Sequence, residues 1–285
     1  MRGFTCGGRL LEPGESMSLM SIEAETTIEK VAGWVAQAKE IAALTGAGLS
    51  TDSGIPDFRG PQGLWTRNPQ AERLSSLQHY MEDPEVRVAA WQARLHHPAW
   101  TAAPNPGHRA LADLARRGSL TTLVTQNIDG LHQRAGTPSE AVIEIHGTMR
   151  EVMCMACGER APMQQALERV KGGEQDPDCR TCGGILKSAT ISFGQSLVAE
   201  DLRRAEKAAA RCHLFLAVGT SLAVYPVALL PQVALDSGAR LVILNAEPTP
   251  FDESADAVIR GPLSETLPRL VRSPAECRQV LDSDI

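Results

Sequence analysis

The sequence contains no apolar run close to the ~20 residues that a helix needs to cross a bilayer. Residues 1–18 also lack the long apolar stretch of a secretory signal. Basic residues are not in excess, since 28 Lys and Arg against 34 Asp and Glu give a net charge of −6. No global basic field therefore attracts nucleic acid or an anionic membrane. We expect a cytoplasmic protein with neither a membrane nor a nucleic acid as its partner.

The seven cysteines do not form the framework typical of a small secreted disulfide protein. Four of them make two C-x-x-C pairs, Cys154 with Cys157 and Cys179 with Cys182, and the 21 residues 158–178 separate the pairs. Four thiolates on two knuckles suit tetrahedral Zn²⁺, and a closed set of four leaves no position for water. We therefore predict a structural zinc site, with a redox C-x-x-C as the alternative. The other three cysteines are expected to be ordinary free thiols: Cys6, Cys212 and Cys277.

Short apolar segments alternate with helical patterns along the chain. Thr26 and Glu29 have capping-box spacing before an amphipathic helix. Asn105-Pro106 and Gly118 mark the two ends of a second helix. The predicted strands are 41–48, 120–125, 142–147, 214–220 and 240–246. This alternation predicts an α/β fold in which helices cover both faces of a parallel sheet.

Two segments interrupt the alternation. Residues 56–104 are rich in proline and contain tryptophan, and we expect them to form a loop and short helices of the sheet domain. Residues 151–190 hold the cysteine pairs and are expected to form a small zinc-binding module. The predicted organisation is a flexible N-terminal extension (1–25), a sheet domain (26–150 and 191–275) into which the module is inserted, and a C-terminal tail (276–285).

Polar residues follow the predicted strands at the edge where parallel α/β sheets bind ligands. The strand ends carry GAG, TQN, HG, GTS and NAE. In the stretch GAGLSTDSGIPDFRG (46–60), Gly46 and Gly48 would let backbone N–H groups approach a phosphate. The stretch does not have the G-x-G-x-x-G spacing of a standard dehydrogenase. Taken alone, it is equally well interpreted as a glycine turn with a mobile loop.

The motifs taken together resemble the sirtuin family of NAD-dependent protein deacylases. They are the stretch 46–60, TQNIDGLH (125–132), HG (146–147), the two C-x-x-C pairs, GTSLAVYP (219–226) and NAE (245–247), in the order that the family shows. The resemblance covers about residues 28–272. It implies a Rossmann-like domain with an inserted zinc module.

The resemblance also implies NAD as a co-substrate, held by residues of these motifs. The expected contacts are Gly46, Ala47 and Gly48 with the phosphates; Asp57, Phe58 and Arg59 in a loop that closes over the nicotinamide end; Gln126 with ribose hydroxyls; Ile55, Asn127 and Asp129 in the nicotinamide pocket; Gly219, Thr220 and Ser221 with phosphate and adenosine; Asn245 and Glu247 with the adenosine ribose; and the backbone of Leu263 with adenine. Taken singly, Asp57 and Asp129 could instead be loop caps, and Asn245 a turn residue.

His146 matches the catalytic histidine of the family, although a single histidine is usually a surface or core residue. The implied reaction begins when the acyl-lysine oxygen attacks C1′ of the nicotinamide ribose and nicotinamide leaves. His146, neutral near pH 7, is then expected to help deprotonate a ribose hydroxyl as general base. That oxygen attacks the former amide carbon, and water completes the reaction. The products are nicotinamide, the free lysine and O-acyl-ADP-ribose, and no hydride is transferred.

The substrate implied by the resemblance is an acyl-lysine protein or peptide that pairs as an added strand. Phe193, Gly194 and Val224 are candidates for contact with it, and Trp91 and Arg94 align with a Tyr-x-x-Arg pair of relatives that remove acidic acyl groups. Because the tyrosine is replaced, we expect acetyl-lysine to be preferred. The alternative interpretation is that Trp91 packs a helix and Arg94 faces solvent, so that neither lines an acyl pocket.

Two other functions remain open from the residues. The same NAD site would serve a protein mono-ADP-ribosyltransferase, which leaves ADP-ribose on a protein. The second open function is that of a non-catalytic zinc-containing module on a nucleotide-sensing domain, although a histidine at position 146 argues against it. A zinc hydrolase is disfavoured, because four cysteine ligands leave no open coordination position.

Overall fold

The computed structural model describes residues 5–6, 9–10, 13–58, 60, 63 and 75–271, with side chains from residue 24 onward. Its first elements are the paired strands β1 (Thr5–Cys6) and β2 (Arg9–Leu10), followed by helix α1 (Pro13–Gln37). The predictions for Arg59 and for the tail 276–285 lie outside the described residues.

Helix α1 begins earlier than its capping-box spacing predicts. Thr26 and Glu29 predict a start at residue 26, and this prediction was wrong, because the helix already begins at Pro13. Residues 15–25 contain neither glycine nor proline and include several strong helix formers, so nothing local ends the helix there. Residues 13–25 of the predicted extension are therefore helical.

The centre of the molecule is a parallel sheet, as the sequence predicts. Among the described residues it has six strands, with the spatial order β11-β10-β9-β3-β4-β5, and every neighbouring pair is parallel. This order is that of the Rossmann fold. The strands are β3 (Ile41–Thr45), β4 (Leu120–Thr125), β5 (Val142–Glu144), β9 (Leu214–Val218), β10 (Arg240–Leu244) and β11 (Ala257–Ile259).

Helices cover both faces of the sheet, each packed against alternate residues of the strands. On β3, Ile41 and Ala43 belong to one core, and Ala42 and Leu44 to the other. The first core is completed by α1 together with α4 (Pro106–Arg116) and α9 (Leu263–Val271), and the second by α7 (Ala199–Arg211) and α8 (Leu230–Asp236). The short helix α5 (Leu131–Arg134) follows β4.

A small module carries the cysteine pairs. Its antiparallel strands are β6 (Gly147–Cys154), β7 (Arg160–Pro162) and β8 (Leu186–Thr190), in the order β7-β6-β8, with helix α6 (Met163–Lys171). The predicted range 151–190 therefore begins four residues inside β6.

The helical segment before the sheet strand β4 packs on this module. It comprises α2 (Leu77–Glu82) and α3 (Pro84–Leu95). Trp91 of α3 shares one core with Cys154, Met163 and Cys179. The sequence assigns residues 56–104 to the sheet domain, whereas in the structure α3 contributes to the core of the module. Among the described residues, no helix has the length and apolar character needed to span a membrane.

Candidate functional site

The two halves of the sheet meet where β3 and β9 lie side by side. From β3 the chain continues to β4 and β5, and from β9 to β10 and β11 on the other side. This is the topological switch point at which α/β proteins bind ligands. Because the sequence places GAG and GTS directly after these two strands, both motifs lie at this point.

The glycines let the two turns touch. Gly48 N–H donates to Gly219 C=O at 2.9 Å. A Cβ added to Gly46 would lie 2.7 Å from Gly219 O, and one added to Gly219 would lie 2.4 Å from Leu49 N. Gly219 also has φ +60, which favours glycine. Larger residues would separate the turns, so the close contact between the two turns at the switch point depends on these positions.

Asn127, Ser50 and Asp129 form a polar network beside the first turn. Asn127 Nδ2 donates to Gly46 O at 3.0 Å and to Ser50 Oγ at 3.2 Å. Ser50 Oγ in turn donates to Asp129 Oδ2 at 2.8 Å. Asp129 is 5% exposed and its other oxygen accepts from Leu131 N–H at 2.9 Å. Asp129 therefore caps the turn before α5, as the alternative interpretation has it, and it is also part of the network.

Gln126, which follows β4, contacts the ends of three other strands. Its Nε2 donates to Thr220 Oγ1 at 2.8 Å, which connects the end of β4 to the end of β9. Its backbone N–H donates to Thr45 O at the end of β3, at 2.9 Å. Its carbonyl oxygen lies 3.2 Å from Nδ1 of His146, which follows β5. The predicted residues 126, 127, 129, 146 and 220 are thus brought to one edge of the sheet.

The contact with Gln126 fixes the protonation pattern of His146. A carbonyl oxygen only accepts, so Nδ1 carries the proton and Nε2 is the unprotonated nitrogen of the neutral ring. Burial lowers the pKa of His146 below its ordinary value of 6.5, although the bond to Gln126 opposes this shift. The imidazole is therefore neutral near pH 7, which is the state required of a general base.

The remaining predicted NAD residues surround the same edge. Ala47 begins a short 3₁₀ helix (Ala47–Leu49), Ser221 is half-buried after β9, and Leu263 is buried at the start of α9. Asn245 donates from Nδ2 to Glu247 O at 2.8 Å, so its side chain does hold a turn, while Glu247 is exposed.

The loop after the first glycine turn contains the other three described residues. Ile55 is half-buried and its N–H donates to Ser50 O at 3.2 Å. Asp57 Oδ1 accepts from Gly60 N–H at 3.2 Å, which is the loop-cap role of its alternative interpretation. Phe58 is 39% exposed.

The predicted peptide contacts follow two different strands: Phe193 and Gly194 come after β8 of the module, and Val224 comes after β9 of the sheet. Phe193 N–H donates to Ser75 O at 2.8 Å, and its C=O accepts from Leu77 N–H at 2.9 Å. Phe193 is 42% exposed. Gly194 has φ +84, and Val224 is half-buried with its C=O accepting from Ala228 N–H.

The two residues predicted to line an acyl pocket differ in their placement. Trp91 is 1% exposed within the module core, so its indole is used for packing, as its alternative interpretation proposes. Arg94 is half-buried, and its Nε and Nη2 donate to Ser188 Oγ at 3.1 and 2.8 Å. The structure therefore does not bring Trp91 to a pocket surface.

The four predicted metal ligands converge. The Sγ atoms of Cys154, Cys157, Cys179 and Cys182 all lie within 4.8 Å of one another. Cys154 and Cys182 are 3.5 Å apart and Cys157 and Cys179 are 3.8 Å apart. Zn–S bonds of ~2.3 Å at tetrahedral angles place sulfurs roughly 3.8 Å apart. The donor set thus fits Zn²⁺ with all four positions taken by protein.

Three residues of the site were missed in the sequence. Ser50 lies in the glycine-rich stretch, so the sequence offered a signal for it. Among the described residues, its hydroxyl is the only one that contacts both Asn127 and Asp129. Arg150 donates from Nε and Nη2 to Asp129 O at 3.0 and 2.6 Å. Thr45 Oγ1 contacts His132 Nε2 at 3.0 Å beneath the glycine turn. No spacing signal links Arg150 or Thr45 to these partners.

The fold and site define a Rossmann-like α/β protein with an inserted four-cysteine module. The family model described as Sir2 family matches residues 46–226. The NAD-dependent protein deacetylase 2 of Streptomyces coelicolor is 53% identical over 232 residues, which are 81% of this chain and 96% of that protein. The NAD-dependent protein deacetylase 1 of Bradyrhizobium diazoefficiens is 42% identical, over 88% of this chain and 98% of that protein. The chain belongs to the Sir2 family.

Solved structures agree with this assignment. One from work described as the structural basis for the mechanism and regulation of Sir2 enzymes has a TM-score of 0.79 at 38% identity, over 90% of this chain and 99% of that chain. A Sir2 structure with a deacetylated p53 peptide and 3′-O-acetyl ADP-ribose has a TM-score of 0.79 at 32% identity, over 86% and 97% of the two chains. The predicted family and the predicted fold are confirmed.

Proposed function

We propose that this chain is an NAD-dependent protein-lysine deacylase, most simply a deacetylase, that yields nicotinamide, O-acyl-ADP-ribose and the free lysine. The observation that carries the proposal is His146, with Nδ1 on Gln126 O and a neutral ring, at the sheet edge where the glycine turns of a Sir2 chain meet. Relatives 40–53% identical are named for this activity. The proposed compartment is the cytoplasm, where cysteine thiolates stay reduced.

NAD would be held along the switch point by the residues predicted from the motifs. The turns at Gly46, Gly48 and Gly219 would lie against the phosphates, and Gln126 would contact the ribose hydroxyls. When bound, NAD supplies an electrophilic ribose carbon from which nicotinamide departs. Asn127 and Asp129, held by Ser50, orient the nicotinamide end.

The protein residues then move a proton and hold the peptide. His146 accepts a proton at Nε2, because Nδ1 is already occupied by its own proton and Gln126 O. The backbone carbonyl of Gln126 keeps the ring in that orientation. Phe193, Gly194 and Val224 are proposed to contact the acyl-lysine peptide between the module and the sheet domain. Zn²⁺ on the four cysteines would stabilise the module and would take no part in the chemistry.

A panel of acyl-lysine peptides, incubated with and without NAD, tests the function. Deacylation that requires NAD and gives O-acyl-ADP-ribose by mass spectrometry supports the proposal. ADP-ribose attached to protein, with the acyl group retained, would instead identify a mono-ADP-ribosyltransferase. Binding of NAD without either product would identify a nucleotide-sensing module.

The pH dependence of kcat/KM is expected to have its acid limb below pH 6.5. The base must be unprotonated, and burial lowers the pKa of His146, so activity is full above this pKa and is lost as the pH falls through it. Initial rates at low NAD and low peptide over a pH series measure the midpoint. A midpoint at or above pH 6.5 would contradict the lowered pKa of His146.

Acetyl-lysine is expected to be preferred over succinyl-lysine by roughly tenfold or more in kcat/KM, because an acyl carboxylate without a partner loses its hydration on burial. The guanidinium of Arg94 is engaged by Ser188, and Trp91 is enclosed. Trp91→Tyr should therefore not raise the succinyl rate. Kinetics on matched acetyl and succinyl peptides check both statements. A succinyl preference that collapses in Arg94→Met would make Arg94 an acyl selector.

A further inference from the structure

Lys187 is a buried lysine without a carboxylate partner. Its side chain belongs to β8 and the residue is 2% exposed. Among the residues that the structure describes, no acidic group lies within ion-pair distance of it. Its Nζ donates instead to two main-chain carbonyls, Ser188 O at 3.2 Å and Thr190 O. Because burying an ammonium group is costly unless its hydrogen bonds are satisfied, this placement calls for a specific role.

The peptide unit between Thr190 and Ile191 links Lys187 to His146. The carbonyl of this unit, Thr190 O, accepts from Lys187 Nζ. Its N–H, which belongs to Ile191, donates to His146 O at 2.8 Å. A single peptide unit therefore separates the buried ammonium from the main chain of His146. A charged donor on the carbonyl polarises the unit and strengthens the bond that its N–H makes.

The same segment also fixes the residue after His146. Gly147 has φ +72, and a Cβ added to it would lie 2.1 Å from Ala189 O. The ladder between β6 and β8 loses its regular register between Gly147 and Val152. The bond from Ile191 N–H to His146 O therefore lies at the end of an irregular stretch. A displacement of β8 at this point would also displace the main chain of His146.

We propose that Lys187 is a positioning residue for His146, holding the Thr190–Ile191 peptide so that the imidazole stays aligned on Gln126 O. The inference rests on the proposed function, in which His146 is the general base. It assigns no contact between Lys187 and NAD or peptide. A misplaced base costs rate without weakening the binding of either substrate.

Two side chains on neighbouring helices face this part of β8. Arg94 of α3 is the charged group that acts on it, and burial together with Arg94 lowers the pKa of Lys187 to about 8. Tyr80 of α2 donates from its hydroxyl to Leu186 O at 2.7 Å, and burial raises the pKa of that hydroxyl, so it stays neutral. The ammonium is therefore charged at neutral pH and loses its proton as the pH rises through about 8.

Lys187→Met tests the proposal, because methionine keeps the length of the side chain and removes the donor. We expect the single-turnover rate at saturating NAD and acetyl peptide to fall about ten- to a hundredfold. KM for both substrates should change less than about twofold, since the substitution removes no contact with either substrate and KM reports binding when the chemical step is slow. The melting temperature should not fall, because an apolar residue replaces a buried charge. Lys171→Met, which removes an exposed lysine of α6 in the same module, is the matched control and should behave as wild type.

Lys187→Arg separates positioning from packing. The guanidinium keeps a charged donor, so we expect partial rescue of the rate. In wild type we expect the rate to decline above about pH 8, as Lys187 loses its proton. The guanidinium stays protonated, so this decline should disappear in Lys187→Arg. A wild-type rate in Lys187→Met, or equal loss in both variants together with a lower melting temperature, would overturn the proposal.

The nitrogen NMR signal of the His146 ring provides a readout that needs no turnover. In wild type Nδ1–H should be protected from exchange, and in Lys187→Met it should exchange faster. Unchanged exchange would overturn the positioning role. An inactive wild-type protein with the expected NMR change would instead contradict the proposed function and leave the positioning role supported.

Discussion

His146→Ala is expected to lower the rate of NAD-dependent deacylation by about 10²–10⁴-fold, the usual cost of removing a general base. The variant should keep its zinc and its fold, because His146 is only half-buried and, among the described residues, its ring bonds to the backbone carbonyl of Gln126 alone. Single-turnover rates with an acetyl peptide, metal analysis and thermal melting measure the three properties.

His146→Asn sharpens the same experiment. An asparagine amide can donate toward Gln126 O as Nδ1–H does, but it has no nitrogen that accepts a proton. It should therefore be as slow as the alanine variant, which separates the base from the hydrogen bond. His213→Ala, an exposed histidine at the opposite end of β9, is the control and should stay within about twofold of wild type, as surface changes usually do. Near-normal turnover of either His146 variant would remove His146 from the role of base.

The sheet and the edge that carries the site could be predicted because their signals are local. The four strands β3, β9, β10 and β4 are short apolar runs, and three of them are almost wholly buried, which is what a sheet covered on both faces requires. Their ends carry the polar motifs in the next few residues. A continuous buried run followed at once by glycine or amide residues therefore identifies both the strand and its functional end.

The contacts that were missed depend on residues far apart in the chain. The helical period around Trp91 indicates a buried face, but it does not say that Cys154 and Met163 cover that face. The link from Lys187 to His146 likewise depends on a register shift in an antiparallel pair. β11 has only three residues, which is too short for a periodic pattern. In each case the local sequence indicates whether a residue is buried or polar, but the residues that it contacts are set by the tertiary fold.

The second large effect is expected at the cysteine cluster. Cys157→Ser removes one of four thiolates, so the zinc content should fall well below one ion per chain. Metal binding of this kind is folding free energy, and its loss should cost about 3 kcal/mol or more of stability. For a chain of this size that corresponds to a drop of roughly 10 °C in Tm. Metal analysis and thermal melting, with and without added Zn²⁺, measure both effects.

The loss of stability should precede any loss of chemistry. Cys154 and Cys179 share a core with Trp91 and Met163, so disordering the cluster loosens the module before it reaches His146 on the sheet edge. Deacylation by Cys157→Ser should therefore persist at temperatures well below its melting point. Cys212→Ala, which alters a buried thiol outside the cluster, is the control and should keep its zinc. A closed thiolate site predicts neither of two results. If Cys157→Ser lost activity while its zinc content and Tm stayed unchanged, the metal would have to be catalytic. If the wild-type protein held no zinc and formed C-x-x-C disulfides, the redox alternative would be established.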